Sequence, residues 1–241
     1  MTTDYRSYVN SQVDSAMPRV SWEEFSTYLF DWRQGEHVGL IGPTGSGKST
    51  LALNILDRRK YVTAFVTKPK DQTLNQLRHD GFVKIKEWQT LNPYQYPRRL
   101  LWPPADDLYA VGDQQKEFRN AFRKIYRDGA WCVYVDELWV FIHHMKLEFE
   151  IRTYLQQSRS LGISLVAGTQ RPKFVPLEIF DQSTHLFFWL DNDENNLRRI
   201  SGIAWLSASM IKSAVARLDR HEFLYVNTVT GEMYRSIAEE R

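Results

Sequence analysis

The stretch Gly42-Pro43-Thr44-Gly45-Ser46-Gly47-Lys48-Ser49 is a full match to the spacing G-x-x-x-x-G-K-[ST]. Such a loop works only between a strand and a helix, where successive backbone N–H groups and the positive helix end converge on one anion. The flanks supply both elements. Val38-Gly39-Leu40-Ile41 reads as a buried strand, and Ser49 to Leu56 keeps Leu51, Ile55 and Leu56 apolar with few helix breakers. The glycines permit a phosphate approach that any Cβ would block. The expected ligand is a nucleoside triphosphate, cradled by Gly42, Pro43, Thr44, Gly45, Ser46, Gly47, Lys48, Ser49 and Thr50. Lys48 is expected to reach the β/γ oxygens, and the Ser49 hydroxyl to ligate Mg²⁺.

A second constellation complements the loop. Trp131 to Val135 is a continuous apolar run, of the kind buried on both faces of a parallel sheet, and it ends in Asp136-Glu137. In that position Asp136 would hold the metal, and Glu137 would orient and deprotonate the attacking water. Two acids at a strand end also suit the cap of a following helix. A base beside the metal ligand points to hydrolysis, and no Asn-Lys-x-Asp guanine reader is present, so ATP is preferred over GTP. The next apolar strand, Ile163 to Ala167, runs into Gly168-Thr169-Gln170-Arg171-Pro172. If that strand lies between the acidic strand and the loop strand, Gln170 faces the γ-phosphate as a sensor. A polar turn residue before a proline reads the same way.

The remaining pattern alternates strands and helices. Tyr61 to Val66, Phe82 to Ile85, Leu100 to Trp102 and Thr184 to Leu190 read as strands, and Asp113 to Arg127 and Lys146 to Ser160 as helices. Glu222 to Val226, the Thr230-Gly231 turn and Glu232 to Arg235 read as a hairpin at the sheet edge. Ser21-x-x-Glu24 has capping-box spacing before Trp22, Phe25, Tyr28 and Leu29, so a short helix precedes the first core strand. The expected fold is α/β, a mostly parallel P-loop NTPase sheet flanked by helices, with a C-terminal β-hairpin. Residues 1–35 form an arm and helix, and residues 36–241 the nucleotide-binding domain.

Composition sets limits on partners. A net charge of +2 gives no globally basic surface, so nucleic-acid binding must come from local patches. The lone cysteine, Cys132, sits in an apolar run and reads as a buried thiol, which excludes an internal disulfide. No apolar stretch approaches a bilayer span, and Met1 to Asn10 is polar, so a cytoplasmic protein is expected. The eight tryptophans mostly occupy apolar periodic positions, as core or subunit interface.

Arg159-Ser160-Leu161-Gly162-Ile163-Ser164-Leu165, followed by Thr169-Gln170-Arg171-Pro172, resembles the R-x-x-G-I-x-L…T-Q-R-P block of the FtsK/HerA superfamily of DNA-pumping ATPases. With the two nucleotide motifs the resemblance covers residues 36 to 190. It implies an additional-strand (ASCE, RecA-like) ATPase core that works as a ring, a pentamer or hexamer, with one subunit's arginine completing its neighbour's site. Arg159 occupies the matching position for that finger; Arg152 and Arg171 are runners-up. An ordinary arginine at a helix end is the competing reading of Arg159. About 35 residues precede the first core strand, too few for the β-barrel or membrane helices of cellular members. The chain therefore resembles viral genome-packaging ATPases, which act on double-stranded DNA at a capsid vertex. Lys68, Lys70, Arg98, Arg99, Lys116, Arg119, Arg123 and Arg127 are candidates for gripping the DNA backbone, though each also suits a solvated face. A morphogenesis or secretion ATPase acting on protein is the alternative, and a small-molecule kinase is disfavoured by Glu137 and the Thr-Gln-Arg-Pro block.

Overall fold

The computed structural model describes residues 16–240, except 91, 93, 108 and 202–207. The apolar runs form β1 (His37–Ile41), β2 (Val62–Phe65), β3 (Val83–Ile85), β4 (Arg98–Leu101), β5 (Cys132–Val135), β6 (Ser164–Thr169), β7 (Ser183–Trp189), β8 (Glu222–Asn227) and β9 (Met233–Ile237). Among the described residues they make a nine-stranded sheet in the order β3-β4-β2-β5-β6-β1-β7-β8-β9. Pairings from β3 through β7 are parallel, and the C-terminal hairpin adds two antiparallel ones. The expected α/β class, the parallel sheet and the terminal hairpin are all present.

Side-chain alternation along the buried strands feeds two cores, one per face. Val133 and Val135 join Phe65, Leu165 and Phe188 under the helices Val111–Asp128 and Glu148–Gln157. Cys132 and Tyr134 point the other way, toward Leu51 and Ile55 of the helix that follows the loop, Lys48–Leu56. Phe25 and Phe30 close that second core against Phe187 and Tyr225. The expected cap is made: the Glu24 N–H donates to Ser21 Oγ at 3.1 Å. Burial pushes the Cys132 thiol up to about 12, so it is a neutral core group.

Three expectations change. The helix expected over Lys146 to Ser160 spans only Glu148–Gln157, because Lys146 sits at φ 49 and Ser158–Leu161 tightens into a separate turn. The strand read from Leu100 begins at Arg98 and pairs on both sides, so Arg99 is fully buried. The N-terminal arm falls partly outside the described residues. Its last part is ordered by pairing: Val20 N donates to Arg235 O and Arg235 N to Pro18 O, both at 2.9 Å, along β9.

Candidate active site

Strand order places the chemistry. β6 lies between β5 and β1, so the C-terminal ends of these three parallel strands present Asp136-Glu137, Gln170 and the phosphate loop side by side. Gly168 makes that spacing possible, since a Cβ there would stand 2.3 Å from the Asp136 carbonyl oxygen. Gly47 leads into the helix at φ 109, a backbone region nearly closed to other residues.

The Lys48 ammonium is buried and lies 2.6 Å from Gly42 O and 2.7 Å from Pro43 O. Burial pulls its pKa down to about 8, against the pull of Asp136 and Glu137. Asp136 Oδ1 accepts from Ser49 Oγ at 3.0 Å and from Tyr134 OH at 2.6 Å. Its Oδ2 lies 3.3 Å from Lys68 Nζ, which is also 3.4 Å from Asp71 Oδ2. Burial alone would lower the Lys68 pKa, but these two carboxylates together hold it above the ordinary lysine value.

Glu137 is the junction of the site. Its Oε1 accepts from Trp139 N at 3.2 Å and Thr169 Oγ1 at 3.3 Å, and its Oε2 from Gln170 N at 3.1 Å. Burial raises its pKa, with these donors and Lys48 opposing. Gln170 Oε1 in turn accepts from Thr44 Oγ1 at 2.5 Å, so the sensor candidate touches the loop itself.

The residues fit the ligands expected of them. The loop borders a cavity of about 390 Å³, into which Lys48, Ser49, Lys68, Asp136 and Gln170 all face. Ser46 Oγ and Trp189 Nε1 are buried beside the loop with no hydrogen-bond partner among the described residues. Ser49 and Asp136 offer a hydroxyl and a carboxylate oxygen, a sparse hard-donor set that suits Mg²⁺, which keeps several of its waters.

Arg159 lies elsewhere. It precedes β6, whereas Gln170 follows it, so six strand residues, on the order of 20 Å, separate it from its own phosphate loop. It is 62% exposed, and its nearest carboxylate, Glu36 Oε1, is 3.9 Å away. Arg152 is engaged by Glu148 and Glu178 in a separate cleft of about 560 Å³ beside Phe174 and Leu177. Arg171 sits beside its own site, 4.8 Å over the Trp139 ring.

Several basic residues read as candidates for DNA have other duties. Arg99 donates to Tyr96 O and Trp88 O and stacks on Trp88, with burial lowering its pKa to about 10. Arg98 pairs with Asp57, Arg119 with Glu150, and Lys68 with Asp136. Sequence reasoning missed Tyr134, although a position two before Asp136 on a strand shares its face. It also missed Thr73, His221 and the segment from Ile237 to Glu240, which line the same cavity from distant parts of the chain.

The fold is a P-loop NTPase fold shared with solved packaging ATPases. The chain aligns with B204, the DNA-packaging ATPase of Sulfolobus Turreted Icosahedral Virus, with a TM-score of 0.63 and 18% identity over 85% of this chain and 98% of that one. The genome-packaging NTPase B204 of Sulfolobus turreted icosahedral virus 2, in complex with AMPPCP, aligns with a TM-score of 0.62 and 17% identity over 84% and 97% of the two chains. VirB4 of Thermoanaerobacter pseudethanolicus aligns with a TM-score of 0.63 and 13% identity over 85% and 89%. No protein-family model and no curated protein sequence matches the chain. Among the described residues no helix is long and apolar enough to cross a membrane.

Proposed function

We propose that the chain is an ATP hydrolase that drives double-stranded DNA as an oligomeric ring, in the manner of a viral genome-packaging ATPase. The observation that carries the hydrolase reading is the bridge at Glu137: one half-buried carboxylate tied through Gln170 to the phosphate loop and set beside Asp136. Lys48 and the loop bind the triphosphate. Glu137, whose proton affinity is raised by burial, orients water and accepts its proton. Gln170 registers the γ-phosphate, because its contacts to Thr44 and Glu137 rearrange when the phosphate is cleaved. Ser49 and Asp136 would hold Mg²⁺, which supplies charge stabilisation at the β/γ oxygens when bound. Arg159 serves the neighbouring subunit's site, since it lies at the far end of the sheet from its own.

The DNA reading draws on B204, and the shared fold with VirB4 keeps the protein-acting alternative open. ATP hydrolysis measured with and without long double-stranded DNA, at low and moderate salt, separates them. Stimulation that weakens with salt supports a DNA motor. DNA-indifferent turnover favours the protein-acting ATPase, and no turnover under any condition contradicts the hydrolase reading.

A further inference from the structure

The cavity beside the phosphate loop has a second wall built by the C-terminal hairpin. Thr73, His221, Ile237, Ala238 and Glu240 line the cavity together with the loop. Ile237 ends β9 with 44% of its surface exposed, an apolar side chain beside an anion cradle. His221 occupies left-handed backbone at φ 65, and its Nδ1 lies 3.9 Å from where a Cβ on Gly47 would stand.

This wall is held from three directions. Asn54, on the helix that follows the loop, donates through Nδ2 to Glu239 O at 2.9 Å. Pro18 to Val20 pairs with β9 at Arg235, whose Nε also donates to Met17 O at 2.9 Å. Arg19 spans the turn that carries His221, reaching Asp219 Oδ2 at 2.5 Å and the buried Glu222 Oε1 at 2.6 Å. Asp219 N closes that turn by donating to Glu222 Oε2 at 3.0 Å.

Charge decides what the wall receives. Phosphates belong to the Lys48 side, and the Glu240 carboxylate disfavours further anions, whereas an apolar face suits a neutral aromatic ring. We propose that Ile237 and Ala238 bind the base of a nucleoside triphosphate, that His221 meets its ribose, and that Arg19 is the positioning residue for His221. The N-terminal segment then acts as a strap on the nucleoside half of the site. This inference rests on the nucleotide reading above.

Titration calorimetry of the full chain with Mg-ATP and with Mg-tripolyphosphate tests it, because tripolyphosphate has no nucleoside. Wild type is expected to bind ATP the more tightly. Ile237→Ser and His221→Ala are expected to lose about tenfold in ATP affinity with tripolyphosphate affinity unchanged. Arg19→Ala should lose ATP affinity with the same selectivity and recover part of it in Arg19→Lys, which a general loss of stability would not do. Equal losses for both ligands, or no loss for either, overturn the proposal and leave the nucleotide reading intact. Wild type that binds neither ligand overturns both.

Discussion

The C-terminal and N-terminal ends of β1, β5 and β6 handle charge in opposite ways. At the C-terminal ends, Lys48, Lys68 and Asp136 line one cavity, Lys68 pairs with Asp136, and Glu137 is tied to Gln170 beside them. At the N-terminal ends, two buried histidines are kept neutral. His37 is buried, and its Nδ1 accepts from Leu165 N at 3.0 Å, which demands an unprotonated nitrogen. Burial, assisted by the charge of Arg159, lowers its pKa to about 4. His185, also buried, is lowered by burial despite Glu36. Arg159 stands out into solvent there. One end is organised to receive an anion, and the other presents Arg159, a cation set away from its own phosphate loop.

The largest expected effect tests that division. Arg159→Ala should lower ATP turnover in the assembled protein by about 10³–10⁵-fold, the range for a finger supplied in trans, with nucleotide affinity retained. Steady-state hydrolysis alongside calorimetry checks this, and an unchanged rate would return Arg159 to the status of an ordinary surface residue. At the opposite end, Glu137→Gln should bind ATP normally and lose about 10²–10⁴-fold in turnover, the usual weight of general-base catalysis. Retained turnover in that variant would remove Glu137 from its role as base.

A smaller effect concerns the neutral end. Above pH 6.5, His37 is neutral whether folded or unfolded; between 6.5 and about 4 only the unfolded chain takes up the proton, so stability falls as pH falls. Wild type should lose on the order of 2–3 kcal/mol over that window relative to His37→Asn, whose Oδ1 keeps an acceptor for Leu165 N without titrating. Urea unfolding at pH 7 and pH 4 measures it, and parallel losses in the two proteins would argue against the neutral assignment. The smallest effect is at Lys48. With its pKa near 8 before phosphate contact, binding must restore the proton at higher pH, so triphosphate affinity should fall by up to about tenfold per pH unit above 8. A flat profile to pH 9.5 would show that burial does not hold Lys48 there.

The phosphate loop, the β5 carboxylates and the position of β6 were legible in sequence because each depends on a few consecutive residues and on strand periodicity. Long-range partnerships were not. His221 and Ile237 reach the loop only because the hairpin folds back beside β7, a placement that no local spacing encodes. Arg99 was misread for the converse reason: its charge suggested solvent, yet it sits on a strand paired on both sides, where Trp88 and two carbonyl oxygens replace water. Lys68, three residues past β2, reads as a loop cation until Asp136 arrives from β5.

The direct test of the division between the two ends is to mix Glu137→Gln and Arg159→Ala chains, each inactive alone, in the presence of ATP and long double-stranded DNA. A mixed assembly contains interfaces where an intact Glu137 meets an intact Arg159 from the neighbour, and hydrolysis should reappear there. Chains that co-purify as a mixed assembly yet stay inactive would contradict the assignment of the two strand ends to different subunits' sites.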